Sequence, residues 1–202
     1  MIVMKLTPRR VEQLRQVTHI ALGLFVLAII MFIPFYVIVL TLMTLTVLIL
    51  SILAKKNVYL PFTRNLFKLF QREDERKGIQ AKGLLFFSLG SLITTILFTK
   101  QIALASIAIL TLCDSLPRLI LHHGKIKHPL NNKRFIEEMI IGIIVGTIGG
   151  WLFVPFLFAV IAASIAAIVE ILDIIIKGHR LDDNLYIPVV AGTVIFLLTL
   201  VL

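Results

Sequence analysis

The residues best suited to chemistry gather between Asp114 and Glu138, in the stretch Asp-Ser-Leu-Pro-Arg-Leu-Ile-Leu-His-His-Gly-Lys-Ile-Lys-His-Pro-Leu-Asn-Asn-Lys-Arg-Phe-Ile-Glu-Glu. It sets an aspartate, a cluster of cations and two glutamates between two long apolar runs. Cationic side chains hold polyphosphate through charge-assisted hydrogen bonds, and a carboxylate at the edge of such a loop can hold the Mg²⁺ that accompanies it. Lys125, Lys127, Lys133 and Arg134 would offset phosphate charge, with Asp114 as the carboxylate at the edge.

Further carboxylates fit the same chemistry. Glu170 and Asp173 stand three apart near the end of a later apolar run, which puts them on one helix face. Asp182-Asp183-Asn184 follow in a short loop. A charged residue at the centre of a membrane span costs about 2.5–3.5 kcal/mol on insertion scales and less near an end. Such residues mark a polar cavity or pathway, unless they merely reach the headgroups from a helix end. Mg²⁺ is usually bound by one or two carboxylates plus phosphate oxygens, so a Mg²⁺–nucleotide site is the functional reading. His19, a turn into the first apolar run after Arg15, is either part of that site or a packing residue. The spacing of His122, His123 and His128 matches no known zinc pattern. No Walker-type or dinucleotide glycine loop occurs, so a nucleotide must be held by other means.

The elements that must position these groups are membrane spans. Of the 202 residues, 59% are hydrophobic and 15% charged, with a mean hydropathy of +1.03. A soluble domain is nearer half apolar with a quarter charged, so the expected class is an all-α polytopic membrane protein forming one domain over residues 1–202. Seven spans are predicted: Val17–Phe32, Phe35–Leu53, Leu84–Phe98, Ile102–Leu121, Ile136–Phe153, Pro155–Ile176 and Leu185–Leu202. Ile33-Pro34 is read as a hairpin between the first two. With the N-terminus cytoplasmic and the C-terminus outside, 19 of the 20 Lys and Arg lie inside or at inner helix ends, all but Lys100. That asymmetry satisfies the positive-inside rule. The first run lacks a small-residue cleavage site and is followed by further spans, so it is not expected to be a removable signal peptide.

Between the second and third spans, Pro61–Phe70 reads as an interfacial amphipathic helix. Gly142, Gly146 and Gly150 form a small-residue stripe for close helix packing. Cys113 is the single cysteine, which excludes an internal disulfide, and is read as a small apolar packing residue. The net charge of +9 comes without a basic stripe of interleaved aromatics, so no nucleic-acid partner is expected; anionic membrane lipid and nucleotide are.

The chain resembles the CTP-dependent polyprenol kinase family, which includes dolichol, phytol and farnesol kinases and the CTP-dependent diacylglycerol kinase. The likeness runs from about Glu12 to Gly192. Arg15, His19 and Gly23 match the family's opening block, with Gln16 where a second basic residue is usual. Lys82-Gly83, Phe86 and Gly90 are similar to its Gly-x-x-x-Phe-x-x-x-Gly stretch. Asp114, Gly124, Lys125 and Lys127 match the central block, and Arg134-Phe-Ile-Glu137-Glu138 is a loose version of its end. Glu170, Asp183-Asn184, Pro188 and Gly192 reproduce the closing block. The departures are Pro117 and Leu121 in place of small residues and glycine, Phe135 in place of a hydroxyl residue and Glu138 in place of glycine.

The resemblance implies an integral-membrane enzyme, with its site on the cytoplasmic side, that transfers the γ-phosphoryl group of CTP to a lipid alcohol. It implies Glu170, Asp173 and Asp183 as ligands of Mg²⁺, with Lys125, Lys127, Lys133, Arg134 and Asn184 on the nucleotide. Asp114 would orient or deprotonate the hydroxyl, or bind metal. Arg15, His19, Lys82, Glu137 and Asp182 complete the motif residues. Two rivals differ in kind. A CTP-using cytidylyltransferase that makes a CDP-lipid would normally carry a late Asp-Arg-x-x-Asp-type signature, which is absent here. A small transporter or structural membrane protein would place its carboxylates near mid-span. The sequence specifies no oligomeric state.

Overall fold

The computed structural model describes residues 8–56, 58, 81–121, 124–172, 174–176 and 179–202. The amphipathic stretch Pro61–Phe70, together with His122, His123 and Asp173, lies outside the described residues.

Seven helices are described: α1 (Pro8–Phe32), α2 (Tyr36–Lys55), α3 (Lys82–Leu97), α4 (Lys100–Ile120), α5 (Ile136–Trp151), α6 (Phe156–Ile171) and α7 (Asp183–Val201). Each coincides with one apolar run of the sequence. Four of them, α1 from Arg9 onward, α2, α4 and α7, are long and apolar enough to cross a membrane. Helices α1 and α2 are separate: Ile33 leaves the helix, as the residue before a proline tends to, and Pro34-Phe35 form the turn.

Apolar side chains lie on the outside of the bundle as well as in its core. Leu24, Phe25 and Phe32 on α1, and Ile38, Leu42 and Ile49 on α2, are exposed, whereas Gln16, Thr44, Ser88, Ser106 and Thr111 are buried. An exposed apolar surface of this kind belongs against lipid or another protein. Several of the buried hydroxyls are satisfied within their own helices: Thr44 donates to the carbonyl of Leu40, Ser88 to that of Leu85, Ser106 to that of Ile102 and Thr111 to that of Ile107. Bonds of this type need no water, which suits an apolar surrounding.

Helix α4 is the axis of the bundle. In its most apolar stretch 78% of residues are buried, against 28–33% in the other three long helices. Every residue from Ile102 to Thr111 is buried, because α1, α3, α5, α6 and α7 all pack on it. Small residues permit that crowding. The α5 stripe works as the spacing predicts: Gly142 faces Cys113, Gly146 faces Cys113 and Ala163, and Gly150 faces Ile109 and Ala159. On the opposite side of α4, a Cβ on Gly23 would overlap the Thr111 side chain. Overpacking a tight contact typically costs 1–3 kcal/mol. Gly23→Val is therefore expected to lower the thermal midpoint in detergent by several degrees, while Thr111→Ser/Gly23→Ala recovers part of the loss.

Two segments differ from the expected all-helical pattern. The cationic loop after α4 folds into an antiparallel hairpin, β1 (Lys127–His128) with β2 (Asn131–Phe135), in which His128 pairs with Asn131. Pro129 occupies the second position of the connecting turn, where its fixed φ is favourable. The sixth helix ends at Ile171 and not at Ile176, since Ile175–Ile176 (β3) pair with His179–Arg180 (β4). Glu170 lies in the last turn of α6; the helical face expected to be shared with Asp173 falls outside the described residues.

Candidate functional site

Helix periodicity on α4 starts the site. Asp114 and Arg118 are one turn apart, and Arg118 Nη2 lies 2.7 Å from Asp114 Oδ1. The same Nη2 donates to Glu170 Oε1 at 2.9 Å, from the last turn of α6. On β2, Arg134 sets Nη1 2.8 Å from that Glu170 oxygen and Nη2 3.6 Å from Asp183 Oδ2, at the start of α7. From α1, His19 Nδ1 lies 3.1 Å from Asp114 Oδ2, and its ring meets Phe87 of α3 edge to face. One oxygen each from Asp114, Glu170 and Asp183 lies within 4.8 Å of the others.

The hairpin is anchored so that Arg134 reaches inward. Asn131 Nδ2 donates to the carbonyl of Ile171, one of the free carbonyls at the end of α6. Glu137, in the first turn of α5, accepts from the backbone N–H groups of Lys125 and Ile126. Glu137 therefore holds the hairpin and does not face the carboxylate cluster. Gly90 brings α3 against the start of α7, where a Cβ would overlap the backbone carbonyl of Asn184.

Beside the cluster, Asp182 caps α7 and accepts from the N–H and the side-chain amide of Asn184. Lys82 Nζ lies 3.8 Å from its other oxygen. Burial, and then the neighbouring Asp183 charge, push the Asp182 carboxyl up to about 6; Lys82 and Asn184 pull it back. A group that binds its proton more tightly when folded favours the folded state most at low pH. Its contribution is lost as pH rises from about 4, where the unfolded carboxyl titrates, to about 6. Stability measured from pH 4.5 to pH 7 is expected to contain this falling component, and Asp182→Asn should flatten it.

The sequence-predicted residues divide into three groups. Asp114, His19, Glu170, Asp183 and Arg134 converge on one network, with Lys82, Asp182 and Asn184 next to it. Lys125 and Lys127 are exposed on the hairpin, and among the described residues no ion pair ties them to the network. Arg15 turns to Glu12 at 2.6 Å. Asp173 and the Lys133 side chain lie outside the described residues. Arg118, at the centre of the network, is absent from the residues singled out by sequence; its signal was the four-residue spacing from Asp114.

Three carboxylates face two guanidiniums and one imidazole, with a recess of about 20 Å³ between Asp114, Arg118, Arg134 and Glu170, room for about one water molecule. Hard carboxylate oxygens from three elements form a group that could hold a metal ion. The guanidiniums beside them present forked donors that match phosphate oxygens.

No protein-family model matches the chain, and no solved structure matches it. It is 24% identical over 185 residues to an uncharacterized protein of Methanocaldococcus jannaschii, MJ1137, across 91% of this chain and 92% of that protein. The similarity thus runs nearly end to end, and the relative's name assigns no activity.

Proposed function

We propose that the chain is an integral-membrane lipid kinase that transfers the γ-phosphoryl group of CTP to the hydroxyl of a polyprenol or related lipid alcohol. The observation that carries this reading is the convergence of Asp114, Glu170 and Asp183 with Arg118 and Arg134 at one end of an apolar bundle. The resemblance in motif order to the polyprenol kinase family supplies the reaction. In this reading all seven helices cross the membrane, the N-terminus is cytoplasmic and the network lies at the cytoplasmic face.

The ion pairs suggest how the site would take its substrate. Without ligand, Arg118 and Arg134 balance the carboxylates. With Mg²⁺–CTP bound, Glu170 and Asp183 would hold the metal, and the guanidiniums would turn to the phosphates. Mg²⁺ would supply neutralisation of the charge that develops on the phosphates. Phosphoryl transfer is mostly a matter of positioning and electrostatics, which asks for fixed charges more than for covalent chemistry. Asp114 would orient the acceptor hydroxyl. The exposed Lys125 and Lys127 would attract nucleotide to the hairpin.

The test is purified protein in mixed micelles with Mg²⁺, labelled CTP or ATP, and a panel of polyprenols, geranylgeraniol, phytol and diacylglycerol. Lipid phosphate with CDP is the expected result. Pyrophosphate and a CDP-lipid on addition of phosphatidic acid would replace the kinase by a cytidylyltransferase. Silence with every pair would overturn the enzymatic reading.

A further inference from the structure

Among the described residues, the imidazole of His19 is bonded on one side only. Its Nδ1 lies 3.1 Å from Asp114 Oδ2, whereas its Nε2 is buried and meets no hydrogen-bond partner there. A carboxylate against Nδ1 holds the proton on that nitrogen, which leaves Nε2 with a free lone pair. Arg118 Nη2 lies 2.7 Å from the other oxygen of the same carboxylate. Phe87 stacks on the ring edge to face at 4.9 Å and fixes its orientation. An orphaned buried acceptor is costly to maintain unless something donates to it. A base oriented through its second nitrogen by a carboxylate is the recurring arrangement for activating a hydroxyl.

We propose that His19 Nε2 is the general base that takes the proton of the lipid alcohol, with Asp114 as the residue that positions it. The inference rests on the kinase reading and deepens it. In the step, Nε2 accepts the hydroxyl proton as the alcohol oxygen bonds to the γ-phosphorus. The bond from that phosphorus to the bridging oxygen breaks, and its electron pair stays on the β-phosphate of the departing CDP. Asp114 stabilises the imidazolium, which returns its proton to water after product leaves. The apolar tail of the acceptor would run among the bundle helices, which brings the hydroxyl to α1 and α3 from the lipid side. Nucleotide, by contrast, would approach from the hairpin.

Two variants separate chemistry from structure. The amide nitrogen of His19→Asn can take the place of Nδ1 and keep the bond to Asp114, but offers no base. His19→Gln fills the volume of the ring and likewise offers none. Both are expected to lose about 10²–10⁴-fold in kcat, the range for a positioned general base, with CTP affinity within about twofold of the parent protein. CTP-induced thermal stabilisation reports affinity and folding together. If His19→Asn keeps kcat within about fivefold, the imidazole only holds Asp114 and the proposal is overturned. An inactive parent protein with every alcohol would instead overturn the kinase reading on which it rests.

Discussion

Arg118→Met is expected to be the most destabilising single substitution at the site. It removes the cation that lies 2.7 Å from Asp114 and 2.9 Å from Glu170, and leaves both carboxylates in a buried setting. Removing one partner of a buried pair typically costs about 3–5 kcal/mol, because the remaining charge is uncompensated. His19 and Arg134 would relieve part of this, since each keeps one carboxylate paired. The thermal midpoint in detergent should fall sharply, and a double variant with Glu170→Gln should regain much of the loss. If the chain is the proposed kinase, neither protein should recover activity, because the guanidinium would also bind phosphate. An unchanged midpoint in Arg118→Met would show that the network is not energetically coupled.

Asp114→Asn is the second large effect, and it falls on catalysis. The substitution is isosteric and keeps an acceptor for His19, so the bundle should still fold. It removes the charge that pairs with Arg118 and that, in the proposed step, would stabilise an imidazolium at His19. A loss of about 10²–10⁴-fold in kcat is expected, the range for general acid–base residues, with CTP still stabilising the protein against heat. Full activity in a folded Asp114→Asn protein would remove Asp114 from the chemistry. A parallel loss of CTP affinity would move it from the acceptor side to the metal.

Much of the carboxylate half of the site was legible along the chain. Asp114, Glu170 and Asp183 stand out because an ionisable group in or beside an apolar helix is costly and needs a partner. The glycine stripe of α5 was legible for the same kind of reason, since spacing by four puts small residues on one face. The cations were less so. Lys125, Lys127 and Arg134 look alike by type and proximity, yet only Arg134 turns inward, because the hairpin folds and is anchored through Asn131. Arg118 carried a usable sign in its spacing from Asp114. Its link to Glu170 carried none, as the two are 52 residues apart.

The sequence by itself determined the helical pattern and the apolar outer surface of this protein, together with the carboxylates that need partners. These follow from composition and short-range periodicity, which are properties of each segment alone. Only the tertiary structure decided which cation answers which carboxylate, where α6 stops, and that His19 is bonded among the described residues through one nitrogen. Those outcomes depend on α1, α4, α6, α7 and the hairpin meeting at one end of the bundle. That meeting is set by close packing around α4, where a guanidinium and a carboxylate from distant segments are brought within hydrogen-bonding reach.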